Sequence, residues 1–376
     1  MADVVESIIG AAYLHGDLPF GYECVKYFDL GLQWKPTSTR IDQILAHVDL
    51  LTCGQASPTS IHCPPQLEDV ERMLGYTFNR KVLLVEALTH ASYQSDNNCI
   101  PSYERMEFLG DSILDLIVNE YLYHAPGKNY SPGHVYLRKI AVVNTHLLGY
   151  ICLSTKVKKG AVVPMPNPVT GVIEETYEEH DINLFNCLLH TSPRVLEDQT
   201  NTYSRFKKMK TEIGRALAEG NTFPWTALTK LQAPKFFNDM IESLLGAVFL
   251  DSRGDMDIIR NIMKKIGIMR VLEHIVVDDV DVLHPISRLT FWTQKTGQEL
   301  DFRFDRKGAN IVCQILIGGT ELEGARASTV FRGNRVSQDE VKFAAAEAAI
   351  EKLKLRAVTK KRKESRSTVE SVTKTK

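Results

Sequence analysis

Three acidic residues lie at helical spacing in the segment YERMEFLGDSILDLIVNEYLY, which spans residues 103–123. Glu104, Glu107 and Asp111 follow the positions i, i+3 and i+7. Residues at this spacing lie on one side of an α-helix, and the apolar residues of the segment fall on the opposite, buried side. Like charges in one stripe repel one another when no lysine is placed between them. The spacing therefore indicates a helix that presents carboxylates to a cation.

A second acidic pair occurs further along the chain, in the apolar segment NDMIESLLGAVFLDS. Asp239 and Glu242 are three residues apart and therefore share one face of a helix. Two helices that each present carboxylates could meet around hard divalent cations, because Mg²⁺ prefers oxygen ligands. Two such ions, about 3.5–4 Å apart, activate a water and stabilise the leaving oxygen of a phosphodiester. The two segments together predict metal-assisted phosphodiester hydrolysis.

The same pattern appears once more at residues 2–16, which read ADVVESIIGAAYLHG. Asp3 and Glu6 occupy the offsets of Asp239 and Glu242, and a Gly-Ala pair follows in both copies. Shared apolar spacing alone would mean little, because amphipathic helices resemble one another. A shared acidic pair is more specific, and it predicts an internal repeat in which Asp3 and Glu6 form half of a metal site.

Composition and charge set limits on the elements that position these acids. The 376 residues can form two or three domains, and no apolar run is long enough to span a bilayer. The seven cysteines include no CxxC pair, which favours reduced thiols in the cytosol or nucleus. Residues 352–376 carry about +8, whereas the chain as a whole carries −1. The main body is therefore acidic, and nucleic-acid binding there must depend on local patches or on metal ions.

Three segments together resemble a ribonuclease III catalytic domain, in its usual order. They are LEDVERMLGYTFNRKVLLVEALTHASY at 67–93, ERMEFLGDSILD at 104–115 and PKFFNDMIESLLGAVFLDS at 234–252. The resemblance covers about residues 64–275 and implies an all-helical domain that binds Mg²⁺ or Mn²⁺. The metal ligands that it implies are Glu107, Asp111, Asp239 and Glu242.

Two further residues of these segments match positions of the family. Glu104 matches an additional acidic position that supports the metal or the attacking water. Lys235 matches a lysine of Dicer-type domains, where it would face the scissile phosphate. Lys235 also follows Pro234, so it could equally be the solvated start of a helix.

Tandem organisation indicates the Dicer group within this family, because Dicers carry two ribonuclease III domains. The chain resembles the C-terminal portion of a fungal Dicer-like protein. On this interpretation residues 1–30 are the C-terminal remnant of a first domain and 31–63 are a connector. Residues 64–275 are the second domain, with an insertion at about 155–232. The Pro-rich and then acidic stretch 164–181 predicts a loop within that insertion.

The last predicted unit spans residues 283–356 and reads as a helix, three strands and a second helix. This α-β-β-β-α order resembles a double-stranded RNA-binding domain, whose second helix contacts phosphates. Gln338 and Asp339 stand where the family has a lysine pair, so protein docking is a rival role. The remaining candidates for RNA contact are Lys342, Arg335 and Arg332. Residues 357–376 predict a disordered basic tail.

The resemblance implies a mainly α protein that cuts double-stranded RNA into short duplexes with 5′-phosphates and 3′ overhangs, in RNA interference. The alternative is a non-catalytic RNA-binding or scaffold protein on the same fold. The implied partners are double-stranded RNA, the missing half of the first domain or a second copy, and an Argonaute or RNA-binding protein. No membrane is expected, and the implied location is the cytoplasm or nucleus.

Overall fold

The computed structural model describes residues 2–30, 35–53, 64–93, 101–166, 173–331 and 335–355. Two compact units divide the chain, the first ending at Val282 and the second beginning at Leu283. The first is helical apart from one two-stranded hairpin, and the second combines two helices with a three-stranded sheet. The predicted fold class, a mainly α chain with a small α-β-β-β-α unit at its end, is confirmed.

The helices and strands are numbered here in chain order. The first unit contains α1 (Ala2–Tyr27), α2 (Thr37–Cys53), α3 (Leu67–Leu74), α4 (Lys81–Ala87), α5 (Glu104–Tyr123), α6 (Pro132–Val142), α7 (Thr145–Ser154), β1 (Lys156–Pro166), β2 (Ile173–Asn183), α8 (Pro193–Glu219), α9 (Trp225–Thr229), α10 (Phe236–Asp251), α11 (Met256–Ile266) and α12 (Ile268–Val277). The second contains α13 (Pro285–Thr296), β3 (Leu300–Lys307), β4 (Asn310–Ile317), β5 (Thr320–Val330) and α14 (Arg335–Lys352).

Helix α10 lies at the centre of the first unit, and every residue from Phe236 to Asp251 is buried. Burial on all sides explains why this helix is apolar around most of its circumference. It packs against α5 so closely that the two backbones meet at Gly110 and Gly246. A Cβ added at Gly110 would lie 1.7 Å from the carbonyl oxygen of Glu242. Glycine at this crossing therefore permits the approach that brings the acids of the two helices together.

The buried carboxylate of Asp251, at the end of α10, anchors the turn that follows α3. It accepts hydrogen bonds from the backbone N–H groups of Asn79 and Arg80, at 2.8 and 2.9 Å, and from the Tyr76 hydroxyl at 2.8 Å. These donors satisfy a charge that would otherwise be costly to bury. Asp251 thereby fixes the start of α4 against the central helix.

Within the stretch 164–181, the described residues are not the loop that their composition predicts, because those up to Pro166 belong to β1 and those from Ile173 belong to β2. Strands β1 and β2 pair antiparallel, with Lys156 opposite Asn183 and Pro166 opposite Ile173. Opposite charges face each other across the strands, and Lys158 Nζ lies 2.9 Å from a Glu179 carboxylate oxygen. The loop prediction is wrong because cross-strand ion pairs stabilise charged residues in a hairpin, and a two-stranded edge tolerates proline.

Residues 2–16 form a helix, as the internal repeat predicts. Helix α1 continues to Tyr27 past an interruption at Gly16 and Asp17, whose backbone torsions are not helical. Asp17 has a φ of 57°, in the left-handed region. The helix therefore consists of two segments, of which the first contains the repeated acidic pair.

The apolar residues of α1 are divided between solvent and the first unit. Val4 is 60% exposed and Ile8 is 45% exposed. Tyr13 instead lines an apolar cavity together with Leu109 of α5 and Phe249 of α10. One side of this helix thus faces the two central helices across a cavity, while part of its apolar surface remains in contact with solvent.

In the second unit, β3, β4 and β5 form an antiparallel sheet in that order. The apolar face of the sheet packs against α13 and α14 through a continuous core. The buried members of this core include Leu289, Cys313, Ile315, Ala345 and Ala346. Alanines on α14 allow that helix to lie close to the sheet.

Candidate active site

Three carboxylates from α5 and α10 converge in one group. Glu107, Asp239 and Glu242 each place a carboxylate oxygen within 4.8 Å of the others. Asp239 is only 4% exposed and Glu242 only 7% exposed. Within the described parts of the chain, this is the one group of acidic, histidine or cysteine side chains with such spacing. Hard cations prefer oxygen ligands of this kind.

The two remaining predicted acids lie beside this group. Glu104 and Asp111 line a cavity of about 460 Å³ together with Glu107 and Glu242. Asp111 is not part of the closest group of oxygens. The structure therefore brings the four predicted ligands to one site and places Asp111 at its rim. Their roles as ligands stay a prediction.

Burial and mutual repulsion raise the pKa values of three acids at this site. Burial, followed by the charges of Asp111, Asp239 and Glu107, raises the pKa of Glu242 to about 8. Burial also raises the pKa of Asp239, although its hydrogen bond to Lys235 opposes the shift. Loss of water around part of the Asp111 carboxyl raises its pKa as well. These three acids therefore resist ionisation in the metal-free protein. A bound cation would supply the positive charge that stabilises their ionised forms.

Lys235 spans two of the clustered acids from the start of α10. Its Nζ donates to Asp239 Oδ1 at 2.6 Å and also to Glu107. Partial burial acts to lower the pKa of Lys235, but these hydrogen bonds dominate and raise it. The side chain is 64% exposed, so it is both paired with the acids and open to solvent. Contact between Lys235 and a scissile phosphate remains a prediction.

Tyr103 and Asn238 also contact the acidic group, and the sequence analysis did not identify either residue. The buried hydroxyl of Tyr103 donates to Asp239 Oδ2 at 3.1 Å. Nδ2 of Asn238 donates to Asp239 Oδ1 at 3.0 Å and to Glu242 Oε2 at 3.2 Å. The only signal in the sequence was adjacency, because Tyr103 precedes Glu104 and Asn238 precedes Asp239.

Asp3 and Glu6 are not brought to this site. Both side chains are exposed on α1. Ser7 Oγ donates to the backbone carbonyl of Asp3 at 2.7 Å, a local contact within the helix. Two carboxylates from one helix provide too few ligands to dehydrate Mg²⁺. The half-site interpretation of Asp3 and Glu6 stays a prediction.

The predicted RNA contacts of the second unit have different outcomes. Lys342 is half-buried, and its Nζ lies 4.6 Å from the centre of the Phe302 ring in a cation–π contact. Arg332 lies outside the described residues. Arg335 begins α14, but its side chain lies outside the described part of the structure. The RNA-binding role of these three residues stays a prediction.

The donor set fits a divalent cation, and metal binding should depend on pH. Because the pKa of Glu242 is raised to about 8, a cation must displace its proton below that pH. Each pH unit below 8 should then lower metal affinity by up to about tenfold. We expect the stabilisation of the chain by Mn²⁺ to increase as pH rises from 6 to 8.5.

A thermal unfolding series with and without Mn²⁺ checks this expectation. A free concentration of 100 Kd contributes about 2.7 kcal/mol, or roughly 5–11 °C for a domain of this size. Glu68→Gln is the control, because this exposed acid on α3 lies outside the site and its loss should leave the pH dependence unchanged. If Mn²⁺ raised the unfolding temperature of the parent chain equally at pH 6 and pH 8.5, the prediction would be contradicted.

Comparison with known proteins places this site in a family. Residues 104–253 match the family model described as the ribonuclease III domain. Dicer-like protein 2 of Coccidioides immitis is 31% identical over 363 residues, which cover 95% of this chain and 24% of that protein. Dicer-like protein 2 of Aspergillus terreus is 34% identical over 287 residues, which cover 76% of this chain and 19% of that protein. The chain thus spans about a quarter or less of these relatives.

Among solved structures, the nuclease domain of ribonuclease III from Campylobacter jejuni matches with 23% identity and a TM-score of 0.32. That match covers 54% of this chain and 96% of the bacterial one. None of the described helices combines the length and the hydropathy required to cross a membrane.

Proposed function

Because this chain belongs to the ribonuclease III family, with fungal Dicer-like proteins among its relatives, we propose that it cleaves double-stranded RNA by metal-dependent hydrolysis. The observation that carries the proposal is the group of carboxylates on α5 and α10, two of them buried and the third half-buried. Glu107, Asp239 and Glu242 lie close enough to share a cation, and they match the positions that the family resemblance implies. A scaffold protein would gain nothing from burying two mutually repelling acids beside a third.

Each group of the site has a distinct part in the proposed reaction. Mg²⁺ or Mn²⁺, when bound, would supply a water of lowered pKa and charge compensation at the phosphate. Glu107, Asp239 and Glu242 would hold the cation together with Asp111, which lies at the rim of the same cavity. Lys235 neutralises Asp239 and Glu107 in the free protein, and its exposed amine can move to a phosphate oxygen when RNA binds.

We extend the proposal to the wider role on the basis of the Dicer-like relatives. The products would be short duplexes with 5′-phosphates and 3′ overhangs, made during RNA interference in the cytoplasm or nucleus. Cutting both strands requires a second site, supplied by a first-domain half or by a second copy of this chain. An Argonaute or an RNA-binding protein would receive the product.

We also propose a division of the chain into parts. Residues 1–30 would be the C-terminal part of a first ribonuclease III domain, 31–63 a connector, 64–275 the catalytic domain and 283–356 the RNA-binding-like domain. Residues 357–376 would be a basic tail after the RNA-binding-like domain.

The direct test is cleavage of end-labelled duplex RNA by the purified chain, with and without Mg²⁺. We expect strand cleavage that requires Mg²⁺ or Mn²⁺, is blocked by a chelator and is absent with single-stranded RNA. Mapping the ends would show 5′-phosphates. Duplex binding without cleavage in either metal would instead support the alternative of a non-catalytic scaffold.

Duplex binding by the second unit should strengthen when a lysine is restored at position 339. Asp339 lies in the first turns of α14, where a cation would reach the phosphate backbone. We expect Asp339→Lys to tighten binding about 3–10-fold at 0.1 M salt and to steepen the salt dependence by about one phosphate contact. Filter binding of a duplex across a salt series measures both quantities.

The matched control for this change is Glu351→Lys at the other end of the same helix. It makes the same change in charge at an exposed position. Non-specific attraction predicts equal gains for both variants, whereas a contact at the start of α14 predicts a gain for Asp339→Lys alone.

A further inference from the structure

The carboxamide of Asn238 joins two of the clustered carboxylates. Its Nδ2 donates to Asp239 Oδ1 at 3.0 Å and to Glu242 Oε2 at 3.2 Å. Asn238 is 4% exposed and lines the same cavity as Glu107 and Asp111. It is therefore a buried polar side chain that belongs to the acidic site but carries no charge of its own.

The orientation of this amide follows from its neighbours. Rotating it by 180° would bring the carbonyl oxygen against the Asp239 carboxylate, which is paired with Lys235, and no hydrogen would lie between these two acceptors. The NH₂ group must therefore face the acids. Oδ1 then points away from them, and it has no hydrogen-bond partner among the described residues. A buried carbonyl oxygen without a donor is unfavourable in the protein alone.

We propose that Asn238 is a positioning residue for the cation of this site. Nδ2 holds the Asp239 and Glu242 carboxylates in the arrangement that the cation would require. This inference rests on the proposed function, because it assumes that the acidic group binds Mg²⁺ or Mn²⁺.

The chemistry of the cation supports this assignment. Mg²⁺ gives up water reluctantly and usually keeps several molecules when it binds to carboxylates. It therefore takes few carboxylate ligands from the protein, and the positions of those few matter correspondingly more. Partners that orient ligands without touching the metal commonly contribute 10–100-fold to metal affinity. Asn238 meets this description through its two carboxylate contacts.

The test measures Mn²⁺ binding to the full chain by isothermal titration calorimetry at pH 8, with Asn238→Ala and Asn238→Leu as the variants. Both changes remove the amide, and leucine keeps the branched shape of the side chain if alanine leaves a cavity that prevents folding. We expect each folded variant to bind Mn²⁺ about tenfold more weakly. In cleavage assays the Mg²⁺ concentration for half-maximal activity should rise by a similar factor, while kcat at saturating Mg²⁺ changes little.

Gln199→Ala is the matched control for a purely structural effect. Gln199 is also 4% exposed, and its Nε2 donates to the Phe185 carbonyl at 2.7 Å, away from the acids. Its loss should lower thermal stability without changing Mn²⁺ affinity.

Two outcomes separate the inference from the function on which it rests. A parent chain that binds Mn²⁺ and cleaves RNA, with Asn238 variants within twofold of its affinity, would overturn the role of Asn238 alone. A parent chain that binds no Mn²⁺ would contradict the proposed function and this inference with it. A loss confined to kcat would also overturn the positioning role, since it would point to contact with the RNA.

Discussion

Glu242→Gln and Asp111→Asn should each abolish RNA cleavage while leaving the fold intact. Each change removes a negative charge from the rim or floor of the site without changing the shape of the side chain. Loss of one ligand charge should lower the single-turnover rate by about 10³-fold or more, equal to roughly 4 kcal/mol of transition-state stabilisation. Single-turnover cleavage of a labelled duplex at saturating Mg²⁺ is the measurement.

Although Glu242→Gln should lose activity, its metal-free folded state should be more stable than that of the parent at high pH. The pKa of Glu242 is raised to about 8 from an ordinary value of 4.5, so the folded state favours the protonated form. That contribution to stability is fully present below pH 4.5 and is lost as pH rises through 8. Glutamine remains neutral throughout, so the variant should match the parent near pH 4.5 and exceed it by at least about 1 kcal/mol at pH 8.5.

Chemical unfolding at several pH values without metal gives this comparison. Glu68→Gln, on the outward side of α3, is the control for removal of a single carboxylate. A Glu242→Gln variant that still cuts RNA at the parental rate would show that Glu242 has no role in catalysis or in metal binding. A variant that is less stable than the parent at pH 8.5 would contradict the raised pKa.

Gly246→Ala should destabilise the first unit by about 3 kcal/mol or more. A Cβ at this position would lie 2.2 Å from the carbonyl oxygen of Met106, and backbone atoms cannot move aside as a flexible side chain can. The helices α5 and α10 would have to separate along their shared length, disturbing the packing of the central core. This loss should outweigh the gain of about 1 kcal/mol that alanine normally provides in a helix.

Urea unfolding followed by circular dichroism measures this effect, with Gly133→Ala as the control. A Cβ at Gly133 in α6 meets no atom within 4 Å, so alanine there should be neutral or slightly stabilising. Gly110→Ala should behave like Gly246→Ala, because its Cβ would also meet backbone. A Gly246→Ala variant within 1 kcal/mol of the parent would show that the two helices can adjust at low cost.

Local periodicity was enough to identify the helices that carry the chemistry. The 3.6-residue repeat places Glu104, Glu107 and Asp111 on one face of α5, and it places Asp239 and Glu242 on one face of α10. It also identified residues 2–16 as a helix. These conclusions depend only on residues three or four positions apart, whose relation is the same in any α-helix. The sequence by itself therefore determined which acids face the same way.

Composition was a weaker guide where pairing between distant residues decides the structure. The stretch 164–181 contains prolines and a run of acids, which is typical of a loop. Its partner strand β1 supplies Lys156 and Lys158, which form ion pairs with Asp181 and Glu179, so the segment forms a hairpin. Strand formation depends on a neighbour that the local sequence does not reveal.

Tertiary structure alone decided how the acids meet. Glu107 and Asp239 are more than a hundred positions apart, and their distance depends on the glycine crossing of α5 and α10. The same packing buries Glu242 and raises its pKa, and it brings the Tyr103 hydroxyl to Asp239 and the Asn238 amide between two carboxylates. It leaves Asp3 and Glu6 exposed, although they carry the same motif. Packing sets the solvation and the neighbours of each carboxylate, and these cannot be read from spacing along one helix.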